Sequence, residues 1–85
     1  MSEPLDIRRK RLAMRAMRRG IKEMDLILSA YAQAHLAQMD EAQLEAFDQL
    51  LLENDQDLYG WVTGQIHAPR EFAALIEEIA AHFKD

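Results

Sequence analysis

PREFAALIEEIAAHF, residues 69–83, is the stretch that decides the fold. Phe72, Leu75, Ile76, Ile79 and Phe83 recur three and four positions apart, so they share one face of a helix with about 3.6 residues per turn. Pro69 suits the opening turn of that helix, where an amide hydrogen would have no partner. An apolar face of this kind stabilises a helix only when something covers it. The rest of the chain must therefore supply partner helices.

The preceding segments do so. Leu58, Trp61 and Val62 mark a short fourth helix, which Asn54 or Asp55 can cap and Gly64 can end. Gly60 lies inside it at a cost of about 1 kcal/mol against alanine, so this helix is expected to be short or irregular. Trp61 reads more readily as core than as a contact residue. Leu44, Phe47, Leu50 and Leu51 stripe a third helix, opened by Asp40 and Gln43 in the pattern of a capping box. Met24, Ile27, Leu28, Tyr31, His35 and Leu36 give a second helix over residues 21–38. The first helix takes Ser2 as its cap and Pro4 in its opening turn. It carries two stripes, Ile7 with Met14 and Met17, and Leu5 with Leu12 and Ala16. Gly20, after two arginines, fits the position just past a helix end, where positive φ favours glycine. No run alternates apolar and polar residues as a strand would. The expectation is an all-α chain: one compact five-helix bundle forming a single domain over residues 1–85.

Composition narrows the chemistry. Eighty-five residues are enough for one modest core and leave little room for a deep catalytic pocket. Hydrophobic residues make up 49%, enough to drive folding. There is no cysteine, which excludes disulfides, thiolate catalysis and cysteine-ligated zinc. No apolar run reaches the roughly 18 residues that span a bilayer. His35, His67 and His82 form no HxxxH or HExxH pair, and Glu78 with His82 offers only two of the ligands a metal needs. No nucleophile elbow, phosphate loop or dinucleotide fingerprint is present. The expectation is a binding protein, not an enzyme, with no metal, no bound cofactor and no membrane insertion.

The net charge of −5 conceals a division. Residues 1–23 carry eight of the ten Lys and Arg against three acids, a net of +5, and residues 24–85 carry two against twelve, a net of −10. The basic first helix could meet nucleic acid phosphates, although the acidic remainder would repel a polyanion. It could equally be a solvated face whose arginine stems cover the bundle. Gly20 has two readings as well. It is a helix-ending glycine, or it is a spot without a side chain where another backbone comes close, flanked by Arg19 and Glu23.

Two stretches then point to a family. Arg18-Arg19-Gly20-Ile21-Lys22-Glu23-Met24-Asp25 resembles the RGxxE signature of the SdhE family, the FAD assembly factors of succinate dehydrogenase. Leu51-Leu52-Glu53-Asn54-Asp55-Gln56-Asp57-Leu58-Tyr59-Gly60-Trp61 resembles that family's second recurring stretch, LLE followed by acids and a tryptophan. The likeness covers residues 8–64. It implies a five-helix assembly factor, a chaperone that binds the flavoprotein subunit of succinate dehydrogenase, and in some relatives that of fumarate reductase. It implies that the factor promotes covalent attachment of FAD to a histidine of that subunit. By motif position, Arg19, Gly20 and Glu23 lie at the contact, with Asp25 beside them. No transit peptide is visible, so the resemblance implies a bacterial cytoplasmic monomer or an already processed chain.

Overall fold

The computed structural model describes residues 3–84, so the expected Ser2 cap lies outside the described residues. Five α-helices follow one another: α1 (Leu5–Arg15), α2 (Lys22–His35), α3 (Glu41–Leu50), α4 (Asp55–Thr63) and α5 (Ala73–Lys84). A 3₁₀ turn, Leu36–Gln38, extends α2, and no strand occurs among the described residues. Helix α2 lies at the centre, packed against α5, α4 and α1, and α1 lies along α3.

Local chemistry explains most of the boundaries. Asp40 and Gln43 form the expected capping box: Asp40 Oδ1 accepts from the Gln43 amide at 2.8 Å, and the Asp40 amide donates to Gln43 Oε1 at 2.9 Å. Asn54, not Asp55, caps α4, accepting from the Gln56 amide at 2.8 Å. Gly64, at φ 82°, closes that helix. Helix α5 begins at Ala73, later than Pro69 suggested, because residues 69–72 make a separate turn in which the Phe72 amide donates to the Pro69 carbonyl.

The core follows the apolar stripes. Met24, Leu28, Leu44, Phe47, Leu50, Leu58 and Ile79 are fully buried, and Ile27, Tyr31, Leu51, Phe72 and Ile76 nearly so. Trp61 is half-buried, stacked on Phe72 with ring centres 6.0 Å apart. Phe83 departs from the expected stripe and is 53% exposed. It comes one turn after Ile79, at the rim of a shallow groove shared with Leu26, Ile27, Ala30 and His82. Gly60 stands inside α4, which at nine residues is the shortest of the five helices, as expected. It is buried beneath Ile66, and a Cβ there would meet the Ile66 side chain at 2.8 Å. The helix accepts the cost of a glycine because Ile66 needs the space.

Helix α1 attaches differently. Only Leu12 of this helix is buried, with Ala16 just beyond it, while Ile7, Met14 and Met17, expected to form a second stripe, are exposed. Charge does much of the holding. Arg8, Arg11 and Arg15 all reach Asp48 of α3, and Arg8 also pairs with Glu45. Arg9 donates to the carbonyls of Leu36 and Met39 at 3.0 and 2.8 Å. Partial burial pushes the Asp48 carboxyl up, but hydrogen bonds and charge from Arg15 and Arg11 outweigh it and hold the group below the ordinary aspartate range. The arginines are thus ligands of the fold as well as solvated cations.

Candidate docking site

Helix α1 ends at Arg15, and the residue with positive φ is Arg18, at 57°, not Gly20. The expected role of Gly20 as a left-handed terminator is therefore corrected. A positive φ costs a non-glycine residue about 1 kcal/mol. Here the Arg18 amide gains an acceptor, Asp25 Oδ2 at 3.0 Å, which closes the turn onto the start of α2. Ser29 steadies Asp25 from below, its hydroxyl donating to Asp25 Oδ1 at 3.2 Å.

Arg19 and Gly20 face another way, toward the α3–α4 turn. Arg19 Nε donates to Asp55 Oδ1 at 2.8 Å. One terminal nitrogen donates to the carbonyls of Arg15 and Leu51 at 3.1 and 3.2 Å. The other reaches the Glu53 carbonyl at 3.4 Å and lies 2.7 Å from Asp55 Oδ1. The second oxygen of Asp55 accepts the Gly20 amide at 2.6 Å. Only 11% of the Arg19 side chain and 15% of the Asp55 side chain meet solvent. Such a low-exposure, multiply hydrogen-bonded pair is held far more firmly than a surface ion pair.

Arg19 therefore pairs with Asp55 and not with Glu23. The motif residues divide: Gly20 and Glu23 are exposed, Asp25 is half-buried in the first turn of α2, and the Arg19 guanidinium is turned inward. A Cβ on Gly20 would lie 3.2 Å from Asp55 Oδ2, closer than an ordinary contact. Asp55 is the residue that sequence reasoning took only for a cap. The signal was available in that two cap-type residues, Asn54 and Asp55, stand side by side where one suffices.

The remaining chemistry is sparse. His35 and His82, which form no pair along the sequence, have ring centres 5.4 Å apart, and Tyr31 stacks on His35 at 4.5 Å. Glu78 accepts from the Tyr31 hydroxyl at 3.3 Å. Among the described residues no three His, Cys, Asp or Glu stand where they could hold a metal ion, and no helix is long and apolar enough to cross a membrane.

Comparison with known proteins agrees with the family resemblance. The family model described as "Flavinator of succinate dehydrogenase" (Sdh5) matches residues 10–83. The succinate dehydrogenase assembly factor 2 of Saccharomyces cerevisiae, a mitochondrial protein, is 48% identical over 62 residues, which cover 73% of this chain and 38% of that protein. Assembly factor 2-A of Drosophila willistoni is 36% identical over 87 residues, covering 99% of this chain and 55% of the relative. The Kluyveromyces lactis factor is 49% identical over 61 residues, covering 72% and 37%. The chain thus spans 37% to 55% of the length of these relatives. With nearly its whole length matched by the family model, the chain belongs to the Sdh5 family, the flavinators of succinate dehydrogenase.

Proposed function

We propose that this chain is an assembly chaperone that binds the flavoprotein subunit of succinate dehydrogenase and promotes covalent attachment of FAD to it, without being an enzyme itself. The α1–α2 turn with Arg19 and Gly20, together with the first turn of α2 that carries Glu23 and Asp25, is the docking surface. The observation that carries this reading is an exposed glycine, Gly20, on a turn whose backbone is pinned from within, and an exposed carboxylate, Glu23, in the first helical turn that follows. A pinned turn loses little conformational freedom on binding, so more of the contact energy appears as affinity.

FAD belongs to the partner in this reading. None of the three glycines of this chain is suited to cradle a pyrophosphate: the Gly20 amide is taken by Asp55, Gly60 is buried, and the Gly64 amide donates to the Trp61 carbonyl. The flavoprotein supplies the histidine and the flavin, and this chain holds the subunit so that the two meet. Positioning of that kind can supply several kcal/mol of a barrier. The same surface would serve the flavoprotein of fumarate reductase. The protein acts as a monomer in a bacterial cytoplasm in this reading, although the relatives named above are mitochondrial.

The test is in vitro flavinylation. Apo-flavoprotein subunit and FAD are mixed with and without this chain, and covalent flavin is read by ultraviolet fluorescence in a denaturing gel. The wild-type chain should raise the yield. Gly20→Leu should not, while keeping wild-type helix content by circular dichroism. Full covalent incorporation with Gly20→Leu would overturn the assignment of the loop.

A further inference from the structure

We propose that Asp55 is the positioning residue of the docking turn, and that Arg19 acts on the partner through Asp55 and not by touching it. The inference rests on the docking reading above and assigns its parts. A guanidinium has five N–H donors. Four of the five in Arg19 have hydrogen-bond acceptors within this chain: Asp55 Oδ1 for Nε, the Arg15 and Leu51 carbonyls for one terminal nitrogen, and the Glu53 carbonyl for the other, which also lies 2.7 Å from Asp55 Oδ1 as an ion pair. So engaged, and with 11% of its side chain exposed, the guanidinium is poorly placed for a carboxylate of a visiting protein. To reach one, Arg19 would have to abandon Asp55 and leave a carboxylate at 15% exposure without its counter-charge.

Asp55 is equally committed. Oδ1 takes Arg19 and Oδ2 takes the Gly20 amide at 2.6 Å, so one carboxylate fixes two consecutive residues of the turn. That fixes the direction in which the chain leaves Gly20 and enters α2, and with it the placement of Glu23 one residue into the helix. The small residue at position 20 has a second cause here. A side chain would press on Asp55 Oδ2 at 3.2 Å even with no partner present. Asp55 thus accounts for two motif positions, 19 and 20, and Glu23 is left to make contact.

The test is a double-mutant cycle on affinity for the apo-flavoprotein. Arg19→Ala, Asp55→Ala and the double variant are titrated calorimetrically, well below their melting temperatures. Asp55→Asn is a gentler variant that keeps an acceptor for Gly20. Each single change should weaken binding by about tenfold or more, and the double variant should bind no worse than the weaker single, because both remove one brace. A guanidinium that touched the partner would give losses that multiply, and that result overturns the inference. Wild-type affinity in both Asp55 variants would overturn it as well. A second readout needs no partner. In proton–nitrogen spectra the Gly20 amide should shift strongly in Asp55→Ala and also in Arg19→Ala, and an unmoved Gly20 amide overturns the brace itself. Should the wild-type chain bind no flavoprotein, the proposed function falls, while the Gly20 amide still decides whether Asp55 holds the turn.

Discussion

Ile66 lies over Gly60 so closely that a methyl group on the glycine would come within 2.8 Å of its Cδ1. The contact joins the middle of α4 to the loop that follows it, and the Ile66 amide returns to the Gly60 carbonyl at 3.1 Å. Gly60 persists in a helix because Ile66 occupies the volume of its missing side chain. Gly60→Ala in the wild-type background should therefore gain less than the about 1 kcal/mol of intrinsic helix propensity. In an Ile66→Ala background the same change should recover about 1 kcal/mol. Urea unfolding of the four proteins checks this, and equal gains in both backgrounds would exclude the steric explanation.

Asp48 gathers three arginines from α1, and its carboxyl is held below the ordinary aspartate value. A group with a lowered folded pKa contributes stability above its unfolded value of about 3.9, and the contribution fades as pH falls through the folded value. Wild-type stability should consequently decline below about pH 4, and Asp48→Asn should show a flatter profile there. At neutral pH the variant should melt several degrees lower, since three guanidinium groups lose their shared counter-charge. Thermal melts across the acid range measure both effects.

Tyr31 gives the opposite sign. Burial first, then the charge and hydrogen bond of Glu78, raise its phenol to about 12. The stability associated with a raised pKa is complete below the unfolded value of about 10 and is lost as pH rises toward the folded one. Tyr31→Phe should cost at most about 1 kcal/mol at neutral pH, because the Glu78 contact is a long 3.3 Å. Above about pH 10 the wild type should lose stability that the phenylalanine variant keeps. Alkaline denaturation followed by circular dichroism distinguishes them.

Glu23 is exposed and accepts no hydrogen bond from another side chain among the described residues. Glu23→Ala should leave the melting temperature unchanged and lower the covalent flavin yield in the gel assay. A wild-type yield would remove Glu23 from the docking surface.

Much of the bundle was legible because its signals are local. The 3.6-residue stripes of α2, α3 and α5, the Asp40–Gln43 box and the glycine at the end of α4 each depend on residues a few positions apart. The end of α1 was not legible. Local rules favoured Gly20 as terminator, but Arg18 takes the positive φ because Asp25 receives its amide and Asp55 receives that of Gly20. Whether the stripe of Ile7, Met14 and Met17 is covered was not legible either, for a related reason. Periodicity counts apolar residues, whereas α1 is seated largely by arginines.

By itself the sequence determined that the chain is helical, where most helices begin, and that an RGxxE loop precedes an acid-rich turn, since these properties follow from neighbours along one strand of backbone. Tertiary structure alone decided which acid each arginine meets. Any of several carboxylates could have satisfied Arg19 in extended chain. Only the approach of two turns 36 positions apart selects Asp55, because a hydrogen bond demands a separation near 3 Å and the folded backbone offers one carboxylate that close.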